Sequence, residues 1–257
     1  MVGQGTTQAL THHLWNPNSP NFSHLPTVPF ASPSGKVNPT PIQGEFLMAD
    51  TTSLPIIKER LHEKHPNARY ELDFENPLQL LVATILAAQC TDERVNKVTP
   101  ALFAKYPDAQ AYADADLEEL GDDVRPTGFY QNKAKAIKGA CQGLVERFGG
   151  EVPQTIEELT SLAGVARKTA NVVLNQAFQI PSGIIVDSHV ARVSQRMGLV
   201  DQKKPEKIEF ELMEVVPQEE WIHFGAAMVL HGRYTCTNKN PKCDECVMED
   251  VCPKNGV

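Results

Sequence analysis

A lysine in this sequence lies where it could do chemistry on a sugar. Lys168 follows the small-residue stretch at 162–166, and backbone N–H groups at such a helix start form an anion site suited to phosphate. A lysine beside a phosphate site can act as an amine nucleophile toward a sugar carbon. The alternative for this segment is a plain helix-turn-helix linker with a solvated lysine.

Asp187 offers a matching carboxylate. It ends the apolar run 184–186 and precedes a helical pattern, so its ordinary role is a helix N-cap. The two roles are compatible, because a capping carboxylate can also face a pocket. Breaking an N-glycosidic bond develops positive charge on the sugar, which a carboxylate stabilises, while an amine displaces the base and forms an imine. Lys168 and Asp187 together predict this chemistry.

Four of the six cysteines crowd the C-terminus and predict a metal site. They have the spacing C-x6-C-x2-C-x5-C and are Cys236, Cys243, Cys246 and Cys252. Nothing marks secretion, so disulfides are not the default. Zinc usually takes two short Cys pairs, whereas one short pair between longer gaps equally suits a [4Fe–4S] cube, so the spacing leaves both open. Cys90 and Cys141 lie in apolar stretches and are expected to be small buried hydrophobes.

The elements that must position these residues are helical. Asn76 and Thr155 are candidate N-caps, and either Thr91 or Asp92 starts the helix between them. The run 184–186 has strand propensity but no obvious partner, so the predicted class is all-α. Helices are expected at about 55–65, 78–89, 117–121, 132–148, 167–178, 189–197, 205–215 and 219–231, with further starts near 91 and 155.

The composition bounds the class of protein. The chain has 257 residues, of which 41% are apolar, and 24 Lys+Arg against 32 Asp+Glu give a net charge of −8. A chain of this length and apolar content can form the core of one or two domains. No apolar run is long enough to cross a bilayer, and the start of the sequence lacks a signal-peptide pattern. The acidic balance argues against coating nucleic acid by bulk charge but allows a local basic groove. We expect a cytoplasmic protein.

The first 48 residues differ from the rest. They carry few ionisable side chains and repeat Pro, Asn, Ser and Thr, so they cannot bury enough apolar surface to offset their ordering entropy. We expect 1–48 to be a disordered N-terminal extension. Met48 lies at the composition boundary, which leads to the hypothesis that it is the functional start.

The order of motifs is typical of one family. The sequence has Gly-Val-Ala-Arg-Lys-Thr-Ala-Asn-Val-Val-Leu at 164–174, Val-Asp-Ser-His at 186–189 and His-Gly-Arg-Tyr-Thr-Cys at 231–236, before the remaining cysteines. From about residue 50 to the C-terminus it resembles endonuclease III.

This resemblance implies two helical domains and a cofactor. The first domain would be a six-helix barrel with a helix-hairpin-helix motif over residues 70–181. The second would be an iron–sulfur domain over 182–257, which an N-terminal helix at 49–69 completes. The four cysteines would then hold a [4Fe–4S] cluster rather than zinc.

The resemblance also implies roles for single residues. Lys168 matches the nucleophile and Asp187 the catalytic carboxylate. Gln89 matches the residue that fills the space left by a flipped nucleotide, and Phe129 falls where the family has a wedge that unstacks bases. The other expected DNA-binding residues are Gly164, Ala166, Arg167, His189, Lys239 and Lys242.

The implied function is base-excision repair. The family's enzymes are N-glycosylases that remove oxidised pyrimidines, with an AP lyase activity that cuts 3′ to the abasic site by β-elimination through a lysine Schiff base. The partner would be double-stranded DNA with damaged pyrimidines or abasic sites, without a membrane, and the protein a monomer at the bacterial nucleoid. The alternative is a catalytically weak or non-catalytic iron–sulfur DNA-binding protein with a redox-sensing role.

The hairpin departs from the family pattern at two positions. Many members read Leu-Pro-Gly-Val-Gly where this chain has Leu-Ala-Gly-Val-Ala, with Ala163 and Ala166 as the differences. If position 166 needs a positive φ or very close phosphate contact, the β-carbon of Ala166 strains the turn. We therefore expect weaker DNA binding and slower turnover than in a glycine-containing relative.

Overall fold

Helices form the regular structure of this protein. The computed structural model describes residues 51–257, and this part contains eleven α-helices, short 3-10 turns and no strand. The all-α prediction is confirmed, while the predicted extension 1–48 and Met48 lie outside the described residues. The helices are α1 (Leu54–Lys64), α2 (Pro77–Leu86), α3 (Asp92–Lys105), α4 (Ala109–Asp114), α5 (Leu117–Val124), α6 (Tyr130–Phe148), α7 (Ile156–Thr160), α8 (Arg167–Ala177), α9 (Ser188–Arg196), α10 (Pro205–Val215) and α11 (Trp221–Tyr234).

The predicted N-caps are confirmed. The side chains of Asn76, Thr91 and Thr155 each accept a hydrogen bond from the backbone N–H three residues further on, at 2.9, 3.3 and 3.2 Å. Each such cap contributes about 1 kcal/mol to helix stability. These three side chains therefore fix the starts of α2, α3 and α7.

Two elements differ from the sequence-based prediction. Helix α4 was not expected, because its six residues are too few to show a helical period, although Asp108 caps it through a hydrogen bond to the N–H of Ala111 at 2.8 Å. Helix α2 ends at Leu86 rather than near Gln89, whose φ of +52° is incompatible with a continuing helix. The chain turns away from α2 at this point.

The helices enclose two hydrophobic cores. Residues from α2 to α8 form the first core, and α1, α9, α10 and α11 form the second. The segment before α9 joins them, because Ile185 is buried in the first core while Ile184 and Val186 are buried in the second. Its extended backbone has no pairing strand within residues 51–257, so the strand propensity of 184–186 reflects burial on two sides. None of the helices in this range is long and apolar enough to span a membrane.

Candidate active site

A tight turn joins α7 to α8, as the small-residue stretch predicted. Gly164 has a φ of +71°, and a β-carbon added there would lie 2.5 Å from the β-carbon of Ala136 on α6. A second close contact lies further along α6, where a β-carbon on Gly139 would lie 2.9 Å from that of Ala163. The turn is thus pressed against α6, and only glycine fits at position 164.

The expectation for Ala166 is wrong in one respect. Ala166 is the N-cap of α8 with φ −87° and ψ 166°, which is ordinary extended backbone for any residue. The left-handed conformation of the turn falls on Gly164 instead. The β-carbon of Ala166 therefore adds no backbone strain, and the ground for expecting weaker DNA binding is reduced to direct phosphate contact.

Substitution of Gly164 by alanine is expected to destabilise the protein by about 2–4 kcal/mol, because a positive φ and a clash with α6 act together. For a chain of this size the loss lowers Tm by roughly 5–15 °C. Ala166→Gly is the matched control, since its φ is accessible to both residues and glycine is the better N-cap. Thermal unfolding of the two variants measures the difference. Equal Tm values for Gly164→Ala and wild type would contradict this packing.

Lys168 and Asp187 line one pocket of about 390 Å³. Lys168 lies in the first turn of α8 and is exposed, and its amine has no hydrogen bond or ion pair with any residue of the described part. Asp187 Oδ1 accepts hydrogen bonds from the N–H groups of His189 and Val190 at 2.8 and 2.9 Å, as predicted for an N-cap. Within residues 51–257, Oδ2 has no such partner. An unpaired amine and an open carboxylate oxygen thus share the pocket.

A buried glutamate forms the opposite wall of this pocket. Glu209 of α10 is 5% exposed, and its Oε1 accepts hydrogen bonds from Arg167 Nε at 3.0 Å and from Asn171 Nδ2 at 2.8 Å. The Arg167 guanidinium also lies over the Phe210 ring, 5.0 Å from its centroid. A β-carbon on Gly183 would lie 2.4 Å from the same oxygen, so glycine makes room for the network. Arg167 was expected to bind DNA, but in this structure Glu209 holds its guanidinium at the wall of the pocket.

The four C-terminal cysteines line a second pocket together. Arg196 Nη1 donates to Cys236 Sγ at 3.4 Å, and the N–H of Met248 donates to Cys246 Sγ at 3.4 Å. Burial raises the pKa of the Cys246 thiol, because it disfavours the charged thiolate. A bound metal cation has the opposite effect, since it stabilises the thiolate. Of the remaining cysteines, Cys141 is buried as predicted and Cys90 is half-buried.

The spacing of these sulfurs bears on the metal. Zn–S bonds of about 2.3 Å place the sulfurs of a tetrahedral zinc site about 3.8 Å apart. Among the described residues, no three of the cysteine sulfurs lie within 4.8 Å of one another. In this structure the cysteine sulfurs therefore lie farther apart than the ligands of a tetrahedral zinc site.

The loop between the first two of these cysteines carries free cations. Arg196, which is buried, donates to the carbonyl oxygens of Thr237 at 2.7 Å and Asn238 at 3.0 Å and so holds the loop. Lys239 and Lys242 are exposed, and neither ammonium has a hydrogen bond or ion pair in the part of the chain that is described. Both are available to an anionic partner.

Gln89 and Phe129 share an unusual backbone. Their φ values are +52° and +48°, and both side chains are exposed, the Phe129 ring by 64%. A left-handed conformation at a non-glycine residue costs of order 1–3 kcal/mol and is retained where it serves a function. An apolar ring held outward at this cost fits the wedge role predicted for Phe129.

One lysine that the sequence analysis missed supports both segments. Lys133 of α6 is only 4% exposed, and its ammonium donates to the carbonyl oxygens of Leu86 at 2.8 Å and Thr127 at 2.7 Å. Leu86 ends α2 just before Gln89, and Thr127 lies two residues before Phe129. Burial lowers the pKa of Lys133. The sequence carried one signal of this burial, because Lys133 lies four residues before Ile137 and therefore on the apolar face of α6.

Replacement of Lys133 by methionine is expected to loosen these two segments. The two carbonyl oxygens lose their donor, which costs about 1–3 kcal/mol, and amide hydrogen exchange should rise within 86–90 and 127–130 before the rest of the protein. Lys135→Met, on the same helix but exposed, is the control and should leave exchange unchanged. Exchange that rises evenly over all helices would contradict the local role of Lys133.

His189 lies outside the Lys168 pocket. The β-carbon of His189 would lie 2.8 Å from a β-carbon added to Gly232, so these two residues lie where α9 and α11 cross closely. Its Nδ1 lies 3.3 Å from Arg192 Nη2. The DNA-binding role of His189 stays a prediction.

The hairpin and the adjoining pocket, which Lys168 and Asp187 line, indicate a class of protein. Comparison with known families gives the same class. Residues 82–218 match the family model described as HhH-GPD superfamily base excision DNA repair protein. Within that superfamily the chain belongs to the endonuclease III family, which its curated relatives identify. Endonuclease III of Synechocystis sp. is 54% identical over 193 residues, which cover 75% of this chain and 88% of the relative. Endonuclease III of Escherichia coli is 41% identical over 196 residues, 76% of this chain and 92% of the relative.

Solved structures give the same assignment. A trapped endonuclease III–DNA covalent intermediate matches with a TM-score of 0.77 at 41% identity and covers 80% of this chain and 97% of that chain. A thermostable thymine-DNA glycosylase matches with a TM-score of 0.72 over 80% of this chain and 98% of its own. At 20% identity, this second likeness shows the fold alone.

Proposed function

We propose that this protein excises oxidised pyrimidines from double-stranded DNA and then cuts the strand 3′ to the resulting abasic site. The observation that carries the proposal is the pocket that Lys168, with its unpaired amine, and Asp187, with its open Oδ2, both line. Membership of the endonuclease III family supports it. Excision of damaged bases takes place on the chromosome, so we propose that the protein is located at the nucleoid in the cytoplasm.

The chemistry follows from these two groups. The Lys168 amine attacks C1′ of the damaged nucleotide, the C1′–N bond breaks, and the base leaves with the electron pair and a proton. Asp187 stabilises the positive charge that develops on the sugar. Ring opening gives an imine between Lys168 and C1′, after which loss of a C2′ proton expels the 3′ phosphate. Water then hydrolyses the imine and returns the free amine.

The remaining predicted DNA-binding residues are assigned to the duplex. Gln89 would fill the space of the flipped nucleotide and Phe129 would separate the neighbouring bases, supported by their outward placement and strained backbone. Gly164 and Ala166 are exposed at the hairpin and would let a phosphate approach its backbone N–H groups. The free ammonium groups of Lys239 and Lys242 would contact phosphate and supply a local positive surface on an acidic protein.

We also propose a [4Fe–4S] cluster on the four C-terminal cysteines. The wide spacing of their sulfurs in one pocket supports it, and so does the family. Bound there, the cluster would join the two ends of the basic loop through Cys236 and Cys243 and so hold the loop rigid. Chemical analysis should find iron and sulfide in equal amounts, about four of each per chain, and the cysteines should hold no zinc. The domain boundaries 49–69, 70–181 and 182–257 belong to the same proposal, supported by the two separate cores.

The structure gives less support to the redox-sensing alternative without catalysis. That alternative rested on the hairpin substitutions, and Ala166 has an unstrained backbone. Lys168 and Asp187, the residues that the proposed catalysis uses, line one pocket.

The test is excision on a duplex with a single thymine glycol or dihydrouracil. Released base and nicked strand are measured separately, with an undamaged duplex as control. The expected result is both products from damaged DNA alone. Released base without a nick, or no release from either lesion, would overturn the proposal.

A further inference from the structure

Two histidines and a glutamate meet where α1 packs on α11, away from the Lys168 pocket. His62 lies on α1, Glu220 directly precedes α11, and His223 lies in the first turn of α11. The His62 and His223 rings stack at 3.7 Å with an interplanar angle of 4°. His62 Nε2 lies 2.7 Å from Glu220 Oε2. One ring nitrogen of each histidine and one carboxylate oxygen lie within 4.8 Å of one another.

The groups behind these three residues are arranged as they are around a metal. His223 Nε2 lies 2.8 Å from the carbonyl oxygen of His65, so its Nε2–H is held there and Nδ1 is left with a free lone pair. Metal-bound histidines characteristically use the second nitrogen in this way, which fixes the tautomer and the ring orientation. Burial lowers the pKa of His223 and so favours the neutral ring. Lys58 Nζ, 3.5 Å from Glu220 Oε1, orients the carboxylate from the other side.

We propose that His62, Glu220 and His223 bind one divalent transition-metal ion of the zinc type, with water in the fourth position. Two imidazoles and one carboxylate favour zinc over calcium or magnesium, which prefer all-oxygen sites. The metal takes the position of the hydrogen now between His62 Nε2 and Glu220, and the His62 ring keeps its proton on Nδ1. The three ligand atoms draw together to about 3.4 Å, the spacing that bonds of about 2.1 Å require. The two rings turn out of their parallel stack as they do so, because the lone pair of an imidazole nitrogen lies in the plane of its ring.

The consequence is a clamp between α1 and the rest of the second core. Leu54, Ile57 and Leu61 of α1 are buried in that core, so α1 is held by apolar contacts on one face. A metal between His62 and His223 adds a cross-link at the exposed edge of the same contact. Because the metal binds the folded state and its ligands are apart in the unfolded chain, it raises stability with its concentration. The site lies beyond the proposed repair function and does not depend on it.

The experiment uses the full-length protein with its cluster intact, treated with chelator and then with zinc chloride at neutral pH. Zinc and iron are measured in the same protein fraction after gel filtration, and Tm is recorded with and without zinc. The variants are His62→Ala, His223→Ala and Glu220→Gln. Glu59→Gln removes an exposed carboxylate of the same helix and is the matched control.

Wild type and Glu59→Gln should retain about one zinc per chain without loss of iron and should gain Tm when zinc is added. The three site variants should bind zinc at least tenfold more weakly and show no zinc-dependent gain, although their iron content and their Tm without zinc stay near wild type. Equal zinc retention by the site variants would overturn the proposal. Zinc uptake that occurs only as iron is lost would overturn it as well, because the metal would then occupy the cysteines.

Discussion

Replacing Lys168 by glutamine is expected to abolish strand cleavage and to slow base release by roughly 10³-fold or more. Glutamine is one bond shorter than lysine and has a similar helix propensity, but an amide nitrogen is not a nucleophile and cannot form an imine. The Lys168 amine has no partner among residues 51–257, so its loss leaves the packing of α8 unchanged. Single-turnover rates of base release and of nicking on a lesion duplex measure the effect.

Two controls separate chemistry from folding. Lys203→Gln removes another exposed lysine and should keep the wild-type rates. Lys168→Gln itself should keep its Tm, its iron content and its affinity for the lesion duplex. A nick at the wild-type rate in Lys168→Gln would show that the nucleophile lies elsewhere.

Replacing Asp187 by asparagine is expected to slow base release by about 10²–10⁴-fold while the fold is preserved. Asparagine caps a helix as well as aspartate does, so its carbonyl oxygen can still accept from the N–H groups of His189 and Val190. What is lost is the negative charge of Oδ2 in the pocket. Single-turnover base release and Tm are the paired measurements.

Asp187→Ala distinguishes the two roles of this residue. It loses both the cap and the charge, so its Tm should fall, with a cost of about 1 kcal/mol, while its rate should match that of Asp187→Asn. If Asp187→Asn released base at the wild-type rate and only Asp187→Ala were slow, the residue would act as a cap alone.

Helix starts are predictable from this sequence because their signals are local. The hydroxyl or amide of Asn76, Thr91 or Thr155 bonds to an N–H three residues away, so sequence spacing alone identifies it. Asp187 was predictable as a cap for the same reason. Its place beside Lys168 depends on how α8 and the segment before α9 pack, and that was inferred from the chemistry and from the family resemblance.

Tertiary contacts decide the features that sequence reasoning missed. A β-carbon at position 166, where many family members have glycine, would be strained if that position needed a positive φ. The positive φ of the turn lies at Gly164, two residues earlier, where the chain packs against Ala136 of α6. Lys133 was missed because its acceptors are the main-chain carbonyls of Leu86 and Thr127. Every residue has such a carbonyl, so no side chain in the sequence marks the partner.

The central claim is that the amine of Lys168 bonds to the sugar, and trapping that bond tests it most directly. The wild-type protein is incubated with a duplex that carries one thymine glycol in the presence of borohydride, which reduces an imine to a stable amine. The trapped complex is then digested and its cross-linked peptide identified by mass spectrometry. The account predicts a single adduct on Lys168, in the peptide that begins the second helix of the hairpin. An adduct on any other lysine, or base release without an adduct, would contradict it.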